Sequence, residues 1–84
     1  MSDRPKAIES FDKESLSIFG GGSFMLEHPI ERLKYHIEQT SGSVQEMQCS
    51  ADGFGFIKWS EGDATYSAVS KWPDEQYRAV WKKE

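Results

Sequence analysis

A single cysteine, Cys49, leaves no internal disulfide framework open to the 84-residue chain, and a lone thiol suits a reducing compartment. No apolar run approaches the roughly 18 residues of a membrane span. No short apolar stretch follows a basic start, so neither a membrane helix nor a secretory leader is expected, and the expected location is intracellular, cytoplasmic or nuclear. Cations are in the minority, 10 Lys and Arg against 14 Asp and Glu, for a formal charge of −4. Duplex nucleic acid held mainly by charge needs clustered cations, so that class is disfavoured. Base stacking is carried by rings and is not. An acidic surface equally suits a partner with a basic surface, because complementary fields speed encounter.

Aliphatic content is also modest, with hydrophobic residues at 37% and mean hydropathy at −0.68. Aromatic surface compensates: five Phe, three Tyr and three Trp, each a large payload of buried area. One small domain follows, with a thin core dependent on its rings. Residues 1–14 mix charges with Pro5 and scattered Ile8 and Phe11. They read as an irregular N-terminal arm, pinned by Phe11, ahead of a single α+β domain over 15–84.

Leu16, Ile18 and Phe19 form a short β-prone run stopped by Gly20-Gly21-Gly22. His28-Pro29 then opens an amphipathic helix over 29–40. Pro29 suits the first helical position, Leu26, Ile30, Leu33 and Ile37 recur at helical spacing, and Gly42 supplies a stop. Val44 and Met47 break strict alternation within a β-prone stretch, Ser43–Cys49. Ala51-Asp52-Gly53 is a turn, and Phe54–Trp59 is a strand, so the pair makes an antiparallel hairpin. Two readings of the last 25 residues stay open. In one, Glu61-Gly62-Asp63 is a turn into a strand over Ala64–Val69, and Pro73 starts a helix using Tyr77, Val80 and Trp81. In the other, Ser60 caps a helix buried through Ala64, Ala68, Val69 and Trp72, and Tyr77–Lys82 is the final strand. Either gives a three- or four-stranded antiparallel sheet with two helices on one face, in ferredoxin-like order or as β-α-β-β-β-α.

Several chemistries are excluded by spacing. A phosphate loop needs Gly-Lys-Ser/Thr at a helix start, and Gly20-Gly21-Gly22-Ser23 carries no Lys. His28 and His36 lie about 80° apart around a helix and over two turns along it, and Cys49 has no spaced partner, so no metal site is expected. No Ser or Cys is singled out beside an activating base. Glu61 and Asp63 flank a turn glycine and read as solvated. No catalysis and no cofactor are expected.

Asp52-Gly53-Phe54-Gly55-Phe56-Ile57-Lys58-Trp59 resembles the octapeptide on the third strand of the RNA-recognition motif: a cation, Gly, an aromatic, Gly or Ala, an aromatic, an aliphatic, any residue, an aromatic. Gly53 to Ile57 match outright, and Trp59 fills the last aromatic position. Asp52 stands where the family has its cation. Ile18-Phe19-Gly20-Gly21 fits the family's first-strand signature with one residue missing. Cold-shock domains carry a similar Gly-Phe-Gly-Phe strand, but they are five-stranded barrels with no room for the helix at 29–40. The resemblance implies an RNA-recognition-like sheet that stacks single-stranded RNA or DNA on Phe54, Phe56 and Phe19.

The same stretch can be read without the family. Phe54, Phe56 and Lys58 alternate onto one face, with Ile57 and Trp59 on the other, and Gly55 leaves a flat floor for a close helix. Bare rings beside Lys58 would be stacking surfaces. Rings covered by Phe11, by Phe24-Met25 or by the C-terminal segment would be core. Lys71, Arg78, Lys82 and Lys83, near Trp72, Tyr77 and Trp81, form the one locally basic, aromatic-rich stretch, from which Arg78, Lys82 and Trp81 are auxiliary candidates. The competing reading is a small acidic protein-binding inhibitor or adaptor, of the kind viruses encode, that blocks a nucleic-acid-handling machine.

Overall fold

The computed structural model describes residues 4–18, 28–71 and 79–84. Two helices, α1 (Lys6–Ile18) and α2 (Pro29–Gln39), precede four strands, β1 (Ser43–Cys49), β2 (Phe54–Glu61), β3 (Ala64–Lys71) and β4 (Val80–Lys83). The strands pair antiparallel in the order β1-β2-β3-β4, an open meander. The architecture is α+β, as composition and pattern imply.

Local chemistry sets both ends of α2. His28 is the N-cap, and its Nδ1 accepts from the Ile30 amide at 3.1 Å. A ring nitrogen that accepts carries no proton, so Nε2 holds it and donates to the Gly53 carbonyl at 2.9 Å. One imidazole thus starts the helix and ties it to the β1–β2 turn. At the other end the Gly42 amide donates to Ile37 O at 2.8 Å and the Ser41 amide to Glu38 O at 3.3 Å, the Schellman pattern. Ser41 takes the left-handed position, φ 65°. Gly42 follows because a Cβ there would sit 2.7 Å from Ile37 Cγ2.

The helix α1 has no such local start. The residue before Lys6 is Pro5, which offers no side-chain acceptor. Glu61 of β2 supplies one instead: its Oε1 accepts from the Lys6 amide at 2.9 Å and its Oε2 from the Ala7 amide at 3.1 Å. Oε2 also accepts from the Trp59 indole at 3.0 Å. A carboxylate suits the positive end of a helix. Glu61 is therefore a structural cap, half-buried rather than solvated.

Ala7, Ile8 and Phe11 of α1 meet Ile30, Leu33 and Ile37 of α2 over Ile57, Trp59, Tyr66 and Ala68 of the sheet. Trp59 is fully buried and stacks on Tyr66, with centroids 5.7 Å apart. His36 is buried between the helices, edge-on to Phe11 at 5.7 Å. Burial, then the Arg32 guanidinium one turn earlier, holds its imidazole below the ordinary 6.5. Gly55 lies under α2, where a Cβ would come within 2.4 Å of His28 Cε1 and 2.6 Å of Ile30 Cγ1. Only glycine lets the helix sit this low.

In β1 the alternation fails for a reason. The register shifts between Val44 and Glu46, so Gln45 is an extra residue opposite β2. The bulge restores Val44, opposite Trp59, and Met47, opposite Ile57, to the inner face.

Three expectations need correction. The segment expected to be an irregular arm is helical from Lys6, and the expected strand through Leu16 and Ile18 is the end of that helix; Phe19 lies outside the described residues. The cap comes from 55 residues away, so neighbouring sequence gave no start signal. Among the described residues the order is two helices and then four strands, which is neither the ferredoxin-like order nor β-α-β-β-β-α. The C-terminus divides between the two readings. Ala64–Lys71 is a strand as in the first, and Val80–Lys83 is a strand as in the second. Val80 and Trp81 are β-prone and complete the ladder of β3 instead of turning into a helix.

Candidate functional site

Helices cover one side of the sheet. Among the described residues, no element covers the other side. Alternation places Phe54, Phe56, Lys58 and Ser60 of β2 on this open face. With them are Glu46 and Gln48 of β1, Thr65, Ser67, Val69 and Lys71 of β3, and Val80 and Lys82 of β4. Phe54 is 43% exposed, Val69 42% and Val80 57%, while Phe56 and Lys58 are half-buried.

The register arranges these side chains in rows across the strands. Phe54 faces Lys71. Gln48, Phe56, Val69 and Val80 form the next row, and Glu46, Lys58, Ser67 and Lys82 the one after. An apolar row with a second ring diagonal to it is thus flanked by ammonium groups on both sides. Lys58, Lys71 and Lys82 stand against one carboxylate among the face's strand residues, Glu46. Glu84 follows β4 beside Thr65, at the end remote from Phe54. The overall acidity is therefore carried elsewhere, and this face is locally basic.

The turn before Phe54 fixes where its ring begins. The Asp52 carboxylate accepts from the Ser50 hydroxyl and, at 3.4 Å, from the Phe54 amide. These hydrogen bonds, the Ser50 hydroxyl first, hold the Asp52 carboxyl below its ordinary 3.8. Gly53 takes φ 99°, where a side chain would be strained. Asp52, at the octapeptide's cation position, builds the turn. The cation nearest Phe54 across the ladder is Lys71, on the next strand.

The remaining candidates separate. Lys82 joins the open face. Trp81 points to the inner side, 5.9 Å from Tyr66, and is not brought together with the two Phe rings. Arg78 and Phe19 lie outside the described residues, as do Phe24 and Met25. Phe11 is in the core on the helical side and does not cover Phe54 or Phe56. Cys49 keeps its proton: loss of water around the sulfur, then the Glu31 carboxylate, raises its thiol above 9.0, the reverse of what a nucleophile needs.

Val69, Val80 and Ser67 were not among the sequence candidates, and Lys71 was read only as part of the C-terminal basic stretch, not as the partner of Phe54. The turn at Gly62-Asp63 held the signal for three of them. Counting back from that two-residue loop pairs Phe54 with Lys71, Phe56 with Val69 and Lys58 with Ser67. Val80 had no comparable marker. No helix among the described residues is long and apolar enough to cross a membrane. Comparison of the chain with protein-family models, curated proteins and solved structures finds no match, so the chemistry of the open face stands on the residues that build it.

Proposed function

We propose that this chain is a non-catalytic binding domain that holds single-stranded RNA or DNA on the open sheet face. The observation that carries this is the Phe54 ring, 43% exposed, beside Phe56 on a face that no described element covers. The two side chains stand about 6.8 Å apart along β2, two strand residues, so successive bases can stack on successive rings. Lys58, Lys71 and Lys82 supply charge for the phosphates. With three cations in reach, log affinity falls against log salt with a slope of about −2 for a single strand. Stacking, not charge, is the main term.

A protein-binding inhibitor would need its carboxylates gathered on one side. On the helices they are interleaved with cations instead: Glu9 and Asp12 with Lys6 and Lys13, Glu31 and Glu38 with Arg32 and Lys34. Asp12 pairs with Arg4, and Glu38 with Lys34 at 3.7 Å. Neither helix carries a run of one sign, which favours the nucleic-acid reading.

Fluorescence anisotropy of a labelled eight-nucleotide single strand at low salt tests the proposal. Each ring removed should weaken binding about tenfold, since stacking contributes about 1–3 kcal/mol per base. Phe54→Ala with Phe56→Ala, checked for folding by circular dichroism, should therefore bind about a hundredfold more weakly. Equal affinity in the folded double variant, or no binding by the parent chain, refutes it.

A further inference from the structure

A hollow of about 230 Å³ opens beside the rings, lined by Ser67, Ala68, Val69, Val80, Trp81 and Lys82. Strand alternation puts Ser67, Val69, Val80 and Lys82 at its four corners on the open face, with the backbone of Ala68 and Trp81 as its floor. Two corners are apolar and exposed, one is a cation, and the fourth is a hydroxyl. Ser67 is only 4% exposed, and it contributes a hydroxyl to the wall of the hollow. A hydroxyl can both donate and accept, and here it lies at a hollow that a ligand can enter.

We infer that this hollow takes one nucleobase of the bound strand, which therefore crosses β2, β3 and β4 instead of running along β2 alone. The inference rests on the nucleic-acid reading of the face. From Phe56 on β2 to the midline between β3 and β4 is about 7 Å, one and a half strand spacings, so the hollow and the ring serve neighbouring nucleotides. Val69 and Val80 give the flat base apolar walls. The Ser67 hydroxyl, both donor and acceptor, meets a polar atom on the base edge. Lys82 lies at the rim, where the attached phosphate would fall. An aliphatic ligand would make no use of the hydroxyl, and an anion alone would leave the two valines without a partner. A base satisfies all four corners.

A labelled eight-nucleotide thymidine strand is the probe, with affinity and intermolecular nuclear Overhauser contacts as readouts. Ser67→Ala should weaken binding about fivefold, the size of one net hydrogen bond. Val80→Glu, at a position 57% exposed and safe for folding, should weaken it more than about tenfold by placing a carboxylate beside phosphate. The Val69 and Val80 methyl protons should show contacts to thymine ring protons. Contacts to sugar protons only, or unchanged affinity in both variants while Phe54→Ala with Phe56→Ala still loses binding, would overturn the hollow and leave the ring reading standing. Failure of the parent chain to bind the strand at low salt would overturn both.

Discussion

Replacing Glu61 by Ala should remove the tie between α1 and the sheet. Three donors lose their acceptor: the Lys6 and Ala7 amides and the Trp59 indole. Lys6 is exposed, so water replaces the carboxylate there at little cost. Ala7 and Trp59 are fully buried, and their donors have no such substitute. Loss of a helix cap costs about 1 kcal/mol, and a stranded buried donor about 1–3 kcal/mol. The expected loss is thus about 2–4 kcal/mol, against roughly 4–13 kcal/mol for a domain of this length. For a chain of this size each kcal/mol moves Tm by about 4–8 °C, so Tm should fall by about 10–25 °C. Thermal melts followed by far-ultraviolet circular dichroism read this directly. A double-mutant cycle with Trp59→Phe isolates the indole contact, which should couple to Glu61 by about 1 kcal/mol or more. A fall of less than about 3 °C, or a coupling near zero, would show that α1 is not held by this carboxylate.

Two further outcomes follow from the helix ends and the helix interface. The neutral His36 ring is favoured in the native state by burial and by Arg32, whereas the unfolded ring titrates at its ordinary 6.5. The stabilisation is therefore complete above 6.5 and is lost as pH falls through and below it. Urea midpoints should drop between pH 7.5 and 5.5 in the parent chain and drop less in His36→Leu. An equal drop in both would refute the assignment. The Asp52 contribution is complete above its ordinary 3.8 and is lost only as pH falls below it, outside that window. At Ser41, φ 65° is a conformation that glycine adopts without strain. Ser41→Gly should raise stability by about 0.5–1 kcal/mol in urea titration, and destabilisation would show that the serine side chain has a role of its own.

What could be read from the sequence tracks how local each cause is. The helix α2 was legible because its start, stripe and stop lie within 15 residues, His28 to Gly42. The first hairpin was legible because Asp52-Gly53 sets it, whereas the second, at Gly62-Asp63, was one of two readings that spacing left open. The two faces of β2, and the reason for Gly55, followed from alternation alone. The helix α1 was hidden because its cap is Glu61, distant in sequence, and because Pro5 stands where a Ser or Asp would have marked the start. Glu61 itself looked like a turn residue for the same reason. At the C-terminus, Tyr77, Val80 and Trp81 fit both periods, and only the open ladder of β3 decided for a strand over Val80–Lys83. The rings of the site were visible in the octapeptide. Their neighbours Lys71, Val69 and Val80 come from other strands and needed a register.

The extra residue at Gln45 has a consequence for how copies of this chain meet. Among the described residues the meander has two open margins, and a straight margin is a template on which a neighbouring molecule can lay down its own backbone. At β1 the bulge bends the strand and breaks the even spacing of outward amides and carbonyls. At β4 the margin is four residues long and ends in two lysines, whose like charges repel a second copy. Removing Gln45 would leave Val44 and Met47 in step on the inner face and straighten the first margin, giving a second copy an even row of amides and carbonyls to pair with.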